Sequence, residues 1–279
     1  MSYRTIVVHV DRASNSEARI ALAAALALRE EAHLVGAAMT GMPRSMLAGR
    51  GYEASAVVLA DYLRYAEEHV QQSLEQFSNM AQRLGIPSHE ARSSNDDEYA
   101  GLCLQARYAD LVVMGQSAQA ADKEPNMLPD LPDYVLLNCG RPVLLVPRAG
   151  SRPSTIGKRV MVAWNGSMEA AKAVTAALPL LRGAEQVTLA VLGDSRDALG
   201  ESPGADIALY LARHGVKVEV LRRPEPTDPG KAILSLAADF NVDLLVMGAY
   251  GHSRFREIML GGATRTILAT ATLPVLMAH

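Results

Sequence analysis

The sequence predicts two consecutive α/β domains, each built on a parallel sheet with helices on both faces. The segment Ala109–Gly115 (ADLVVMG) returns 133 residues later as Val242–Gly248 (VDLLVMG), so the chain contains an internal repeat. Within each half, short apolar runs alternate with amphipathic stretches of helical length. The runs lack the alternation of a half-exposed sheet, which indicates strands covered on both faces and joined by helical crossovers. A length of 279 residues suits two domains.

The first half is predicted to alternate five strands with four helices. Its strands are expected near residues 4–10, 33–39, 87–92, 110–115 and 142–147, and its helices near 15–31, 54–84, 96–108 and 131–139. The offset between the repeats falls from 154 residues at the first strand to 133 at the fourth, so this half is 21 residues longer between those strands. We assign the excess to the loop 40–53 and the helix 54–84. The apolar residues at helical spacing in that helix are interpreted as core: Val57, Val58, Leu63, Val70, Leu74 and Phe77.

The second half is predicted to repeat this order. Its strands are expected near 159–164, 187–192, 216–222, 242–248 and 273–277, and its helices near 167–182, 204–214, 228–240 and 262–271. Asp228 before a proline and the acidic stretch 95–97 are candidate helix N-caps, and Gly215 is a candidate C-cap. Residues 148–158 are rich in Gly, Ser, Pro and basic residues, which indicates a linker. We therefore place the domains at 1–148 and 159–279, joined by the linker 149–158.

Composition and charge exclude several classes of function. Lysine and arginine total 27 against 30 acidic residues, so the chain lacks the basic excess expected of a nucleic-acid-binding protein. Its apolar stretches are shorter than the ~20 residues that span a bilayer, and residues 1–11 carry no secretion signal. Cys103 and Cys139 show no metal-ligand spacing and are expected to be buried thiols. We expect a cytoplasmic protein with no metal site and no membrane or nucleic-acid partner.

A glycine-rich segment follows the fourth strand of the second half. Glycines stand at positions 248, 251, 261 and 262, and the last pair opens a predicted helix. Glycines let a backbone approach a phosphate closely, and the free N–H groups of a helix start attract negative charge. We therefore expect the amides between residues 248 and 263 to converge on an anion. The alternative is a flexible loop with glycine turns, since neither a Walker lysine motif nor GxGxxG is present.

The order of these residues is Met247-Gly248-x-x-Gly251-His252, then Gly261 after nine intervening residues, a helix, and the run 273–276 (LPVL). This pattern resembles the signature of the universal stress protein family, whose nucleotide motif is G-x2-G-x9-G-[S/T], and the resemblance covers both halves. It implies two flavodoxin-like (Rossmann-like) domains with five parallel strands in the order 3-2-1-4-5. Members bind ATP or AMP or lack the site. They commonly dimerise by antiparallel pairing of their last strands, which here is expected within one chain between 142–147 and 273–277.

The resemblance implies a nucleotide site in the second half. The candidate cofactor-binding residues are Ala163, Asn165, Leu192, Met247, Gly248, Gly251, His252, Gly261, Gly262 and Ala263. Leu192 would offer backbone groups to adenine, and the glycines would cradle the ribose and phosphates. Asn165 stands where the family has an aspartate, and Gly262 where it has Ser or Thr. Both changes weaken binding without abolishing it, because the amide of Asn165 and the N–H of Gly262 remain. The expected ligand is ATP, ADP or AMP, with or without Mg²⁺.

The first half departs further from the same motif. Gly115 is followed by Gln-Ser-Ala, and Leu128 stands where the third glycine would fall. Two prolines without N–H groups and three acids that repel phosphate surround that position: Pro129, Pro132, Glu124, Asp130 and Asp133. We expect no nucleotide in this half, and a structural or partner-binding role for it.

Two functions remain open at the level of sequence. The first is a stress-response regulator whose C-terminal half binds adenine nucleotide, with at most slow ATP hydrolysis. The alternative is a nucleotide-free scaffold assembled through the last strands of the two halves, with an unidentified protein partner and a two-chain assembly left open. Ser167 is interpreted as a helix N-cap and His9 as a core histidine. No catalytic residue is assigned, because no acid, base and nucleophile share a recognisable spacing.

Overall fold

The computed structural model describes residues 2–42, 56–116, 130–149, 156–193, 202, 204–251 and 262–279. The chain divides into two compact units, of which one is Tyr3–Arg141 and the other includes Pro142–His279. No helix in the described ranges is both long and apolar enough to cross a membrane.

The first unit is a parallel sheet with helices between its strands. Its elements are β1 (Thr5–His9), α1 (Ser16–Glu30), β2 (His33–Met39), α2 (Ala56–Arg83), β3 (His89–Ser94), α3 (Glu98–Ala106), β4 (Leu111–Gly115) and α4 (Leu131–Asn138). Its strands lie in the order β3-β2-β1-β4, and all neighbours are parallel.

The described residues of the second unit form six strands. Its elements are β5 (Val143–Val146), β6 (Arg159–Trp164), α5 (Met168–Arg182), β7 (Gln186–Leu192), α6 (Ala205–Arg213), β8 (Glu219–Arg223), α7 (Pro229–Asp239), β9 (Leu244–Gly248), α8 (Ala263–Thr270) and β10 (Val275–Ala278). The strand order is β5-β10-β9-β6-β7-β8. Strands β6 to β10 are parallel and follow the predicted order 3-2-1-4-5, which confirms the fold class. Strand β5 pairs antiparallel with β10, as expected for segments 142–147 and 273–277.

The central strands are buried on both faces, as their unbroken apolar runs indicate. Ile6 and Val8 on β1 and Val246 on β9 have no exposed surface. The predicted helix caps are also present. The Asp97 carboxylate accepts hydrogen bonds from the first turn of α3, the Asp228 carboxylate does the same for α7, and Gly215 takes a left-handed φ of 80° after α6. Both cysteines are buried free thiols.

Helix α2 holds most of the extra length of the first half, with 28 residues against nine in α6. Leu74 and Phe77 are buried, as predicted, but Leu63 is 42% exposed and Val70 is only half-buried, so the assignment of these two to the core was wrong. A helix of this length measures about 42 Å, whereas the seven-residue strand β2 measures about 23 Å. The amino-terminal turns of α2 therefore extend beyond the sheet. The side chains of Val57 and Val58 lie outside the described part.

The aspartate repeated in ADLVVMG and VDLLVMG has the same structural role in both halves. One carboxylate oxygen of Asp110 accepts hydrogen bonds from the N–H groups of Arg4 and Thr5 at 2.7 and 3.0 Å. The carboxylate of Asp243 accepts them from three consecutive N–H groups, residues 157–159, at 2.9 to 3.2 Å. Each aspartate thereby ties the start of its own strand to the start of the neighbouring first strand of the repeat.

Candidate functional site

The predicted site residues that the structure describes lie at the carboxyl ends of β6, β7 and β9. Ala163 is next to Met247 in the register of β6 with β9, and Leu192 ends β7, where it is paired with Arg223. Ala163, Leu192 and Gly248 are half-buried, while Met247 is buried. His252 and Gly261 lie outside the described residues.

Gly248 and Gly251 allow the end of β9 to approach the start of α5 closely. A Cβ atom on Gly248 would lie 2.5 Å from the backbone nitrogen of Ala170. A Cβ atom on Gly251 would lie 2.9 Å from both the Ser167 Oγ and the Glu169 Oε2 atoms. Both distances are shorter than real Cβ contacts. At Gly248 the clash is with backbone, so packing against α5 requires glycine there, whereas at Gly251 the ends of the Ser167 and Glu169 side chains would have to move.

The amides of this segment divide into two groups. The Ala249 N–H donates to the Ala278 carbonyl at 2.9 Å, and the Tyr250 N–H donates to the Thr264 Oγ1 atom at 3.1 Å. Both N–H groups donate within the fold, so these two do not take part in the convergence on an anion that we expect of the amides between residues 248 and 263. The N–H groups of Gly251, Gly262 and Ala263, by contrast, donate to no other described residue.

The hydrogen bond from Tyr250 to Thr264 joins the two parts of the candidate site. Thr264 lies in the first turn of α8 and is 2% exposed, and Tyr250 adopts a left-handed φ of 58°. The bond therefore holds the residue before Gly251 against the start of α8, where unpaired N–H groups and the helix dipole favour an anion. The Thr264 hydroxyl does not replace the one missing at Gly262, because the Thr264 side chain is buried.

Asn165 and Ser167 shape the turn between β6 and α5. The Asn165 Oδ1 atom accepts a hydrogen bond from the Ser167 N–H at 3.1 Å, and the Ser167 Oγ atom accepts one from the Ala170 N–H at 3.1 Å. Ser167 is therefore the N-cap of α5, as predicted, and the amide oxygen of Asn165 is already engaged.

Sequence reasoning missed Glu169, whose carboxylate touches Gly251. Glu169 is half-exposed in the first turn of α5, one turn after Asn165. The available signal was that spacing, since an acid five residues after the end of β6 can reach back over the carboxyl edge of the sheet.

In the first unit, the corresponding edge is occupied by a buried charged cluster. The Arg19 Nη2 atom lies 2.6 Å from Asp11 Oδ1, and a Cβ atom on Gly115 would lie 2.5 Å from Arg19 Nη1. His9 is 3% exposed, with its Nδ1 atom 3.5 Å from Asp11 Oδ2. At the offset of 154 residues, the second unit has Ala163, Asn165 and Ala173 in place of His9, Asp11 and Arg19. Residues 117–129, where sequence indicates loss of the glycine motif, lie outside the described part.

Burial and charge set the protonation of this cluster. Burial, and after it the charge of Arg19, lower the pKa of His9, while Asp11 opposes both, so that the pKa is about 4. Burial raises the pKa of Asp11, but the charges of Arg19 and His9 and the hydrogen bonds from Arg19 and Ala13 outweigh this, so that it lies below its usual range. At neutral pH, Asp11 and Arg19 therefore form an ion pair beside a neutral His9. The described residues contain no group of three or more His, Cys, Asp or Glu placed to hold a metal ion.

Comparison with known proteins gives one consistent family. The profile of the Universal stress protein family matches residues 2–147 and 157–279. Universal stress protein Slr1230 of Synechocystis sp. is 27% identical over 175 residues, which span 60% of this chain and 57% of that protein. Universal stress protein YxiE of Bacillus subtilis is 28% identical over 144 residues, which span 43% of this chain and 97% of that protein. The crystal structure of a universal stress protein from Archaeoglobus fulgidus has the same fold, with a TM-score of 0.77 at 17% identity over 98% of this chain and 95% of that one.

Proposed function

Because the chain belongs to the universal stress protein family, we propose that its C-terminal half binds an adenine nucleotide and acts as a regulator in the stress response. The site lies at the carboxyl ends of β6, β7 and β9, where ligands collect in open parallel sheets. One observation carries the proposal. The Tyr250–Thr264 hydrogen bond holds Gly251 against the start of α8, and the N–H groups of Gly251, Gly262 and Ala263 have no acceptor among the described residues.

The same residues indicate which nucleotide the site favours. Gly262 offers a backbone N–H but no hydroxyl for a terminal phosphate, and Asn165 is neutral. A lost neutral hydrogen bond costs about 0.5–1.5 kcal/mol, or several-fold in affinity. AMP and ADP therefore lose less than ATP from the absence of that hydroxyl, and a terminal phosphate adds little to binding. ATP hydrolysis, if it occurs, is slow, and we assign no catalytic residue to it.

Paired substitutions at Gly262 test the site without damaging the fold. Gly262 is the N-cap of α8 and adopts a φ of −48°, which any residue can take. Gly262→Asp places a favoured capping carboxylate there, so we expect an unchanged or raised Tm together with loss of nucleotide binding through charge repulsion. Gly262→Ser supplies the hydroxyl of the family motif and should strengthen ATP binding several-fold.

Binding can be measured by isothermal titration and by the fluorescence of Trp164, which directly precedes Asn165. If ATP, ADP and AMP at millimolar concentration give no heat, no fluorescence change and no Tm shift with the wild-type protein, the nucleotide proposal is wrong. That result would favour the nucleotide-free scaffold, for which the antiparallel pairing of β5 with β10 is the supporting observation. Equal binding by the wild-type protein and Gly262→Asp would place any nucleotide elsewhere.

A further inference from the structure

The carboxylate of Glu169 lies inside the proposed nucleotide site. Its Oε2 atom approaches the Cα hydrogens of Gly251 so closely that a Cβ atom there would be 2.9 Å away. The backbone of the same residue packs against Gly248, where a Cβ atom would lie 2.7 Å from the Glu169 carbonyl carbon. Glu169 therefore contacts both of the first two glycines of the motif.

This carboxylate has free capacity to accept hydrogen bonds. The described residues offer it neither a hydrogen bond nor an ion pair. Two neutral oxygens in the same turn each already accept one hydrogen bond, Asn165 Oδ1 from the Ser167 N–H and Ser167 Oγ from the Ala170 N–H. Glu169 is thus the acceptor that this part of the site can present to a ligand.

Its charge decides which part of a nucleotide it can face. A carboxylate repels phosphate, whose place is at the N–H groups that open α8. Adenine, placed against Ala163 and Leu192, belongs at the opposite side of the motif. The ribose connects the two, and an acidic side chain that accepts from its vicinal hydroxyls is a recurrent solution in nucleotide-binding α/β folds.

We infer that Glu169 accepts hydrogen bonds from the 2′- and 3′-hydroxyls of the bound nucleotide, and so supplies the carboxylate that the site lacks at Asn165. The inference rests on the proposed function. By this inference, the preference for a ribonucleotide depends on Glu169 in α5 and not on Asn165 in the turn after β6. Charge-assisted hydrogen bonds are about twice as strong as neutral ones, so an amide in place of the carboxylate weakens this recognition without removing it.

The test compares two ligands, AMP and 2′,3′-dideoxy-AMP, by isothermal titration with the wild-type protein, Glu169→Gln and Glu169→Ala. We expect AMP affinity to fall about fivefold in Glu169→Gln and at least tenfold in Glu169→Ala. The affinity for 2′,3′-dideoxy-AMP should already be lower in the wild-type protein and should change less than twofold in either variant. Glu219→Gln, which removes an exposed carboxylate of β8, is the matched control and should leave both affinities unchanged.

Three results would overturn the inference, and each has its own signature. Equal losses for both ligands would mean that Glu169 acts through the shape of the site. A gain in AMP affinity in Glu169→Gln would mean that the carboxylate only repels phosphate. Absence of AMP binding by the wild-type protein would refute the proposed function itself, and the inference with it. Unfolding of the ligand-free variants, followed by Tm, separates loss of contact from loss of fold.

Discussion

Arg19 is a residue at which the two repeats of the fold differ, and it changes the edge of the sheet where a nucleotide would bind. It is 1% exposed and faces the sheet from α1, where the second repeat has the buried Ala173. Asp11 occupies in the first repeat the position of Asn165, where the family resemblance implies an aspartate, and its Oδ1 atom lies 2.6 Å from Arg19 Nη2. A carboxylate engaged in this way, with a guanidinium against Gly115, is a physical reason to expect no nucleotide in the first unit.

The Asp11–Arg19 pair leads to a stability prediction. Arg19→Ala removes the partner of a carboxylate that is 24% exposed, and we expect a loss of about 3 kcal/mol in the free energy of unfolding measured with urea. The double variant Arg19→Ala with Asp11→Asn has the residues of the second repeat at these two positions and should recover part of this loss. Arg12→Ala, which changes an exposed neighbour, is the control and should cost less than about 0.5 kcal/mol. A urea midpoint for Arg19→Ala equal to that of the wild type would contradict the ion-pair account.

His9 predicts a dependence of stability on pH. Its pKa in the folded protein is lowered to about 4, whereas in the unfolded chain it is about 6.5. Between these values the unfolded state binds more protons than the folded state. The contribution of the neutral His9 to the free energy of unfolding is therefore fully present above about pH 6.5 and is lost as the pH falls toward 4. The slope is at most about 1.4 kcal/mol per pH unit. Asp11, whose pKa is lowered, contributes its own loss below that window. Urea unfolding of His9→Gln from pH 7 to 4 should show a flatter profile than the wild type, and parallel profiles would refute this role.

At the scale of the element, the sequence predicts those strands and helix ends that depend on residues close together in the chain. Strands β4 and β9 follow from seven-residue runs, and the caps at Asp97, Asp228 and Gly215 follow from side chains that act within one turn. The spacing from Asn165 could have indicated Glu169 as a site residue, but its contact with Gly251 could not be predicted, because it joins residues 82 positions apart and depends on how α5 lies on β9. The buried state of Arg19 was also missed, although aligning α1 with α5 places it at an alanine position.

The aspartates that precede β4 and β9 lead to a prediction about the free energy of unfolding, because each joins two neighbouring strands of its sheet. Asp243 holds three backbone N–H groups and Asp110 holds two. We expect Asp243→Ala to lower the free energy of unfolding by about 2 kcal/mol, and Asp243→Asn by less, because the amide oxygen still accepts. Denaturant unfolding of both variants measures this. If the alanine and asparagine variants lost equal stability, the lost charge rather than the three hydrogen bonds would be responsible.

At the scale of the molecule, strand β5 belongs to the first repeat by sequence and to the second unit by contacts. Its register with β10 pairs Leu145 with Val275, Leu144 with Leu276 and Val143 with Met277. The repeat offset of 132 residues relates Leu144 to Leu276, so these two equivalent residues face each other at the centre of the pairing. The strand pair is therefore self-complementary in the manner of a twofold dimer interface.

This symmetry predicts the behaviour of fragments cut on either side of the linker. A fragment of residues 156–279 lacks β5 and leaves the apolar edge of β10 without its partner strand, which is a template for pairing with another chain. Because β10 can substitute for β5 with Leu276 at the twofold axis, we expect this fragment to dimerise, whereas residues 142–279, which retain β5, should be monomeric. Light scattering coupled to gel filtration over a range of concentrations distinguishes the two. A monomeric 156–279 fragment with the same Tm as 142–279 would show that β5 is dispensable and that the C-terminal domain begins after the linker, as the sequence predicts.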